Sequence, residues 1–300
     1  MSGPGRDAET LRERLLYGGY AGAAWLAKSL PGPVGRSAFR SAGRLAHRSL
    51  AGMRATVEAN QAQVLGLDPD DPLVRSAVRE AFDLYARYWY DSFRAPRMAA
   101  EEVSRRFLME GNEAIDRALE VGNGCITTLP HMGNWDVAGR WVSARYPRIA
   151  SVAEDLKPRR LTELFAEHRR TLGMRIVPLS PRGNVGQQLA SLLADNWIVA
   201  LVADRDFDGR GVEVEMFGRT RRLPAGPALL SITSGAPLLV CPVFTTDEGW
   251  HCRIRRVEFE RTGDLRGDVR ELTRLMAAAF EDAIAAKPPD WHMFQPGWDR

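Results

Sequence analysis

The fold of this chain follows from the stretch GCITTLPHMGNWDVAGRW, residues 124–141. Its apolar and β-branched run at residues 125–129 predicts a buried strand, which Pro130 ends. Asn134 is a residue type that caps helices, and a helical pattern follows it. The stretch therefore predicts a strand, a turn and a helix in succession, with His131 just beyond the carboxyl end of the strand.

The same alternation of short β-branched runs and helical stretches continues to the end of the chain. Strands are predicted at residues 125–129, 149–153, 175–179, 197–203, 238–244 and 251–258, and helices at about 134–145, 158–172, 184–195, 224–234 and 268–286. This alternation predicts an α/β fold with a central, mostly parallel sheet flanked by helices. Such sheets carry their sites beyond the carboxyl ends of the strands. We assign this domain to residues 61–300.

Residues 1–60 differ from the rest of the chain in charge and pattern. They hold nine Arg and Lys against four Asp and Glu, which makes +5, while the whole chain carries +3. Four arginines recur every four residues and so share one side of a helix: Arg36, Arg40, Arg44 and Arg48. The apolar run Leu15–Ala27 has 13 residues, whereas a membrane-spanning helix needs roughly 20. We predict a basic amphipathic helical N-terminal extension that lies on an anionic membrane surface, with an ordinary solvated helix face as the alternative.

The overall composition narrows the class of protein. Of 300 residues, 45% are hydrophobic and 26% are charged, as in ordinary globular proteins. The three cysteines stand far apart without a CxxC pair, which argues against a disulfide framework and fits a reducing compartment. A net charge of +3 identifies no partner by itself, and we expect no nucleic-acid partner.

His131 and Asp136 form the first candidate catalytic pair. On a continuous helix, residues five apart lie about 140° around the axis and cannot meet. With a turn at Met132 and Gly133, Asp136 falls in the first helical turn and can fold back onto the imidazole. A neutral imidazole can then take a proton from an attacking hydroxyl, while the carboxylate fixes its tautomer. The alternative is a hydrogen-bonded structural histidine beside an ordinary first-turn aspartate.

Charged residues at two further strand ends strengthen the prediction of a site. Asp204 directly follows the strand at residues 197–203, which makes it a further catalytic candidate. The candidate substrate-binding residues at and after these strand ends are Glu154, Arg169, Arg205, Asp206 and Arg210. Guanidinium groups suit the phosphates of a coenzyme or a phospholipid. The alternative for the arginines is a solvated loop.

These motifs resemble those of the bacterial lauroyl/myristoyl lipid A acyltransferase superfamily, and within it the phosphatidylinositol mannoside acyltransferases of actinobacteria. The resemblance covers most of the chain. It rests on RATVEANQAQVLGL from residue 54, LPHMGNWDVAG, VAEDLKP, EHRRTLGM, ADRDFDGRGVEVEMFG, LPAGPALL and the carboxyl-terminal DWHMFQPGW. LPHMGNWD followed by ADRD is its most specific part, and DWHMFQP supports the mannoside branch.

The resemblance implies an HxxxxD-type O-acyltransferase in which His131 is the general base and Asp136 orients it. It also implies that Glu154 and Arg169 line the groove. The mannoside enzymes carry Glu where Asp204 stands here, so the reach of this shorter acid is in question. The implied reaction moves a long-chain acyl group from acyl-CoA, which is a co-substrate rather than a cofactor, to a mannose hydroxyl of a phosphatidylinositol mannoside. No metal is implied, and the implied location is peripheral, on the cytoplasmic face of the inner membrane.

Three alternatives stay open. An acyltransferase for another glycolipid acceptor, such as a lipid A precursor, fits the strand pattern equally. A metal-dependent phosphoesterase needs a DxH motif upstream of His131 and further His ligands. The chain has five His with no close pair, and its one DxH, Asp290–His292, lies far downstream of His131. A non-catalytic lipid-binding protein would also use the basic N-terminal helices, but it would keep its role without His131.

Overall fold

The computed structural model describes residues 9–154, 156–179, 184–206 and 209–298. Within these ranges the strands are β1 (Phe107–Glu110), β2 (Cys125–Leu129), β3 (Ile149–Glu154), β4 (Arg175–Leu179), β5 (Ile198–Val202), β6 (Val212–Met216), β7 (Arg219–Leu223), β8 (Leu238–Val240), β9 (Val243–Thr245), β10 (Trp250–Arg253) and β11 (Arg255–Arg256). The helices are α1 (Leu11–Ser29), α2 (Gly32–Ser49), α3 (Ala51–Leu65), α4 (Pro72–Arg94), α5 (Ala100–Arg106), α6 (Glu113–Val121), α7 (Trp135–Arg145), α8 (Arg159–Thr171), α9 (Val185–Ala194), α10 (Gly226–Ser234) and α11 (Leu265–Ala286), with short 3-10 turns at Ala95–Arg97 and Pro288–Asp290. The chain is an α/β protein, as its sequence predicts.

The central sheet has the strand order β11–β8–β2–β5–β3–β4 among the described residues. β2 runs parallel to both β5 and β8, and β3 runs parallel to both β5 and β4. The edge strand β11 is antiparallel to β8. The carboxyl ends of β2, β5 and β3 therefore meet at one edge of the sheet. A smaller sheet pairs β1, β10 and β9, and β6 and β7 form a hairpin.

Alternate residues of the central strands belong to two hydrophobic clusters, one on each face of the sheet. Ile126 and Val199 belong to the cluster that includes side chains of α9, α10 and α11. Cys125 and Ile198 belong to the cluster that includes side chains of α6 and α7. All five residues of β2 are buried. Because both faces are covered by helices, the segment CITTL lacks the strict apolar–polar alternation of a half-exposed strand.

Helices α1 and α2 pack against α4, and glycines on α2 make the close approach possible. A Cβ atom at Gly43 would lie 2.8 Å from the carbonyl oxygen of Phe82, and one at Gly35 would lie 2.5 Å from Cε2 of Tyr90. Any larger residue would push the two helices apart. None of the helices in the described ranges combines the length and the apolarity needed to cross a membrane.

The four arginines of α2 are exposed on one side, as their spacing predicts. On the opposite side Gly35, Phe39 and Gly43 form the buried stripe, whereas the apolar Leu45 is 63% exposed. Two of the arginines lie against Asp83 of α4. These contacts are Arg40 Nε to Asp83 Oδ2 at 3.2 Å and Arg44 Nε to Asp83 Oδ1 at 3.6 Å. The glycine stripe rather than the apolar side chains selects the packed face.

Two predicted strands are each divided in the structure. Residues 238–244 form β8 and β9, which lie in different sheets, because Pro242 between them cannot donate a ladder hydrogen bond. Residues 251–258 likewise form parts of β10 and β11 around Ile254. The hairpin β6–β7 occupies a region that the sequence predicted as a loop rich in arginine. Elements α5, β1 and α6 were not predicted.

Candidate active site

The site begins where two adjacent parallel strands end. Leu129, the last residue of β2, pairs in register with Val202, the last residue of β5. His131 and Asp204 each follow two residues later, so they lie side by side beyond the sheet. His131 Nδ1 is hydrogen bonded to Asp204 Oδ1. The imidazole side chain is 17% exposed, which leaves it within reach of a substrate.

Three neighbours hold Asp204, which is fully buried. Besides His131, the indole Nε1 of Trp291 donates a hydrogen bond to Oδ2 at 2.8 Å. Arg221 Nη2 donates to the main-chain carbonyl of Asp204. Burial by itself would raise the pKa of Asp204, but the imidazole, the guanidinium and the indole N–H outweigh it and hold the pKa well below its usual range. Asp204 is therefore an ionised acceptor for a proton on Nδ1.

The structure corrects the predicted partner of His131. Asp136 does lie in the first turn of α7, but within the described residues no hydrogen bond joins it to the imidazole. Its carboxylate accepts hydrogen bonds from Tyr88 Oη (3.0 Å), Ser92 Oγ and Arg169 Nε (3.1 Å). The first turn of α7 faces α4 and α8, whereas the imidazole turns towards β5. Burial raises the pKa of Asp136, but the charges of Arg169 and His168 and the hydrogen bonds from Ser92 and Arg169 together outweigh it and leave the pKa below its usual range.

The turn between β2 and α7 depends on Gly133. Its φ of +58° is a conformation that favours glycine, and a Cβ atom there would lie 2.0 Å from the carbonyl oxygen of Val243. Its N–H donates to the carbonyl of Asp290 at 3.0 Å. Asn134 then caps α7 by accepting a hydrogen bond from the Val137 N–H at 3.0 Å. The C-terminal segment thus fixes the path of the turn that carries His131.

The predicted substrate-binding residues fall into two groups. Arg205 and Asp206 are half-buried and line a polar cleft next to Asp204. Arg169 is mostly buried against Asp136, and its side chain borders an apolar cavity. Glu154, the last residue of β3, and Arg210 are exposed. The structure therefore brings Arg205, Asp206 and Arg169 close to the His131–Asp204 pair or to the cavity. It leaves Glu154 and Arg210 at the surface.

An apolar cavity lies between α7 and the central sheet. Its volume is about 60 Å³, so it is a narrow space between packed side chains. Its walls are formed mainly by aliphatic and sulfur-containing side chains, among them Ile115, Leu129, Val142, Ile149, Met174 and Val202. Trp135 lines the cavity and also contacts the His131 ring edge to face, with ring centroids 5.3 Å apart. A single side chain, that of Trp135, therefore connects the cavity to the imidazole.

Several contacts at the site were not predicted. Trp291 and Arg221 hold Asp204, and Tyr88 and Ser92 hold Asp136. The sequence indicated Arg221 only as one of several arginines before Pro224 that could hold phosphate. Tyr88 belongs to a run of aromatic residues at positions 85–93 whose helical spacing is typical of core packing. Nothing in that spacing indicates that the Tyr88 hydroxyl donates to a carboxylate. The segment DWHMFQPGW supported only the family resemblance. Its concentration of aromatic and polar residues near the C-terminus was the one available signal for Trp291.

Metal-binding side chains do not gather at this site. In the described part of the chain, no three His, Cys, Asp or Glu residues are grouped so that they could hold a metal ion. His292, the nearest further histidine, has Nε2 2.9 Å from the Gly133 carbonyl oxygen. Burial lowers the pKa of His292 to about 3, so its imidazole is neutral. The site residues are thus suited to acid–base chemistry on an organic substrate.

Comparison with known proteins agrees with this arrangement. Residues 8–300 match the family model described as bacterial lipid A biosynthesis acyltransferase. The chain is 35% identical over 296 residues to the phosphatidylinositol mannoside acyltransferase of Mycolicibacterium smegmatis, covering 96% of this chain and 95% of the relative. It is 36% identical over 283 residues to that of Mycobacterium tuberculosis strain H37Rv, covering 92% of this chain and 86% of the relative. The predicted resemblance is confirmed: the chain belongs to the bacterial lipid A biosynthesis acyltransferase family.

Proposed function

We propose that the protein is an acyl-CoA-dependent O-acyltransferase that moves a long-chain fatty acyl group to a mannose hydroxyl of a phosphatidylinositol mannoside. The observation that carries the proposal is the contact between His131 and Asp204 at the tips of two adjacent parallel strands, beside an apolar cavity. The acceptor is supported by relatives that are named phosphatidylinositol mannoside acyltransferases. Acyl-CoA is a co-substrate, and no cofactor or metal is proposed.

In the proposed mechanism, His131 Nε2 takes the proton of the mannose hydroxyl while Nδ1–H donates to Asp204. The hydroxyl oxygen attacks the thioester carbonyl carbon and forms a tetrahedral oxyanion. The carbon–sulfur bond then breaks, and the imidazolium returns its proton to the departing thiolate of coenzyme A. The ionised Asp204 keeps the required tautomer and stabilises the imidazolium, which is the contribution of an orienting acid in general-base catalysis.

The apolar cavity is the proposed site of the acyl chain. The mostly aliphatic lining beside α7 suits a fatty chain, because burying each methylene contributes about 0.8 kcal/mol. The chain would enter this narrow space by parting the side chains that line it. The thioester carbonyl would then lie at the end of the cavity near Trp135, next to His131. Asp136 and Arg169 border the same end, so we propose that their ion pair positions α7 and the mouth of the cavity.

The remaining predicted residues are proposed to contact the polar parts of the substrates. Arg205 and Asp206 lie in the cleft beside Asp204, where guanidinium and carboxylate groups can hold phosphate and sugar hydroxyl groups. Glu154 and Arg210, both exposed near the same edge of the sheet, are proposed to contact the more distant sugar and coenzyme groups.

Residues 1–60 are proposed to hold the protein on an anionic membrane surface, peripherally, at the cytoplasmic face of the inner membrane. Leu11, Leu15 and Trp25 lie on one side of α1 and are 73%, 68% and 66% exposed. Arg12 and Arg14 are exposed beside them. Apolar side chains flanked by positive charge are typical of helices that lie in the plane of a membrane interface. We therefore base the proposed membrane contact on the apolar face of α1 rather than on the arginine face of α2.

Sedimentation with vesicles that contain phosphatidylinositol tests the membrane proposal. Leu15→Glu combined with Trp25→Glu should weaken vesicle binding by about tenfold or more, since both changes place charge in the apolar interface. Val121→Glu is the matched control, because Val121 is 75% exposed but lies on α6. Equal binding by both variants would contradict the proposal.

Thiol release from palmitoyl-CoA, with and without mannolipid, tests the reaction itself. His131→Ala should lower the acceptor-dependent rate by at least about 10²-fold. Mass spectrometry of the product identifies the acceptor, with a lipid A precursor run in parallel as the alternative. Chelation should leave the rate unchanged. A His131→Ala protein that is folded and as active as the wild type would refute the mechanism, and thiol release in neither form would favour a lipid-binding protein.

A further inference from the structure

A polar cleft lies beside the His131–Asp204 pair, between the end of β5, the strand β7 and the C-terminal residues. We call it the Arg221 cleft, and the side chains that define it are Arg205, Asp206, Arg221, Arg222, Gln295 and Trp298. Three of these carry positive charge and one carries negative charge. The mechanism proposed above gives neither Arg221 nor Trp298 a contact with substrate.

Arg221 is the only one of the three cleft arginines that is buried, at 7% exposure. Its guanidinium lies against two indole rings, with Cζ 5.3 Å from the ring centroid of Trp291 and 5.5 Å from that of Trp298. Nη2 donates to the carbonyl of Asp204, but Nη1 is buried without any hydrogen-bond partner among the described residues. Burial lowers the pKa of Arg221, so an anion beside Nη1 would stabilise its charged form.

A second donor in the cleft lacks an acceptor. The Nε1 atom of Trp298 is buried and has no hydrogen-bond partner among the described residues, and the residue is 7% exposed. A buried N–H without an acceptor costs on the order of 1–3 kcal/mol, and an unpaired charged donor costs more. Two such donors in one cleft are complementary to a ligand that offers several acceptor oxygens and negative charge.

We propose that the Arg221 cleft is a phosphate subsite, in which Arg221 Nη1 and Trp298 Nε1 donate to the phosphate oxygens of a substrate, with Arg205 and Arg222 at the rim. A planar guanidinium packed against two indole rings presents its N–H groups in a fixed direction, which suits phosphate. The inference rests on the proposed function for the identity of the ligand. That function supplies two sources of phosphate: the phosphodiester of the mannolipid acceptor and the nucleotide phosphates of acyl-CoA.

The subsite would also couple substrate binding to the catalytic pair. The guanidinium that binds the phosphate through Nη1 holds the main chain of Asp204 through Nη2. Phosphate bound in the cleft would therefore fix both the substrate and the residue that orients His131. Arg221 is a binding residue and, through Asp204, a positioning residue.

Direct titration of the full chain tests the subsite without using activity. The two probes are glycerophosphoinositol, which carries the phosphodiester of the acceptor, and adenosine 3′,5′-bisphosphate, which carries phosphates of the coenzyme. Wild type should bind one of them saturably, and Arg221→Gln should weaken that binding by about tenfold or more, the loss expected for a charge-assisted hydrogen bond. Arg256→Gln, an exposed arginine on β11, is the matched control and should leave binding unchanged.

Trp298→Phe separates binding from positioning, because it removes the indole N–H and makes no change at Asp204. It should weaken the same probe by roughly threefold to tenfold. Two results would overturn the proposal: a wild type that binds neither probe, or a folded Arg221→Gln protein that binds both as the wild type does. If Arg221→Gln fails to fold, an unchanged affinity in Trp298→Phe overturns the proposal by itself.

Kinetics with phosphate-free substrates identifies the source and separates this proposal from the proposed function. The rate of the wild type is measured with palmitoyl-CoA and with palmitoyl-pantetheine, which lacks the nucleotide phosphates. The rate is also measured with the mannolipid and with a mannosyl diacylglycerol, which lacks the phosphodiester. If Arg221→Gln abolishes the preference for palmitoyl-CoA, a phosphate of the coenzyme occupies the cleft. If it abolishes the preference for the mannolipid, the phosphodiester of the acceptor occupies the cleft. Equal loss of rate with all substrates, with both preferences intact, would assign Arg221 to positioning alone and overturn the subsite. An inactive wild type that still binds a probe would refute the function and leave the subsite standing.

Discussion

Two buried carboxylates lie close to the candidate active site, and their surroundings differ. Asp204 contacts the catalytic imidazole and accepts an indole N–H from Trp291. Asp136 accepts hydrogen bonds from Arg169, Tyr88 and Ser92, which belong to α8 and α4. Both carboxylates have pKa values below the usual range, but Asp204 owes this mainly to His131 and Asp136 owes it mainly to Arg169.

The comparison separates the sequence motif from the catalytic geometry. The HxxxxD spacing places Asp136 in the first turn of α7, where it joins three helices around the cavity. The strand order places Asp204 against the imidazole. An acid that is close to His131 in sequence thus supports the packing of the helices, and an acid 73 residues away contacts the imidazole.

Asp204→Asn should have the largest effect on the rate. An amide in place of this carboxylate removes the charge that stabilises the imidazolium and permits the wrong tautomer, so kcat should fall by about 10³–10⁴-fold. Steady-state kinetics with palmitoyl-CoA and mannolipid measures this change. Asp204→Glu is the matched control, since it keeps the charge with one more methylene, and it should retain far more activity than Asp204→Asn. Near-normal kcat in Asp204→Asn would remove the distinction between the two acids.

Asp136→Asn should act mainly on stability. It leaves the mostly buried guanidinium of Arg169 without its partner, so the free energy of unfolding should fall by about 3 kcal/mol. Urea unfolding at neutral pH measures this difference, and kcat should fall less than in Asp204→Asn. If Asp136→Asn instead keeps full stability and loses as much kcat as Asp204→Asn, the orienting role returns to Asp136.

The pH dependence of stability should show a smaller effect of the same ion pair. The pKa of Asp136 in the folded state lies below its ordinary value of 3.8, so the charged form stabilises the fold above about that pH. The stabilisation is lost as pH falls through the folded-state pKa. The difference in unfolding free energy between wild type and Asp136→Asn should therefore be constant from pH 7 to about 5 and shrink below about pH 4. A difference that grows on acidification would contradict the assignment of the charge.

Local patterns in the sequence predicted much of the fold and of the site. The bounds of β2 and β4 agree with the predicted strands, and α7 starts within one residue of its predicted start. His131 and Asp204 were both predicted at strand ends. Their contact was not, because the order of strands in a sheet depends on packing between distant segments and leaves no mark on spacing. For the same reason the sequence did not predict the hydrogen bond between Trp291 and Asp204, which are 87 residues apart along the chain.

The division of the run at residues 238–244 shows a second limit of local patterns. The hydrophobic run is continuous, yet Pro242 sends its two halves into different sheets. The packed side of α2 shows a related limit. Leu45 is apolar but exposed, whereas the distance between α2 and α4 is set by Gly35 and Gly43.

The residues from Asp290 to Gly297 close the site from the far end of the chain. The His292 N–H donates to the His131 carbonyl at 2.7 Å, and Trp291 forms a bridge with Met132. Asn60, near the opposite end, donates to the carbonyls of Met293 and Gln295 at 2.8 Å. During synthesis His131 and Asp204 therefore leave the ribosome well before residues 290–297, which become their final neighbours. A nascent chain that has not yet reached this segment holds the two residues without the contacts that fix the turn carrying His131.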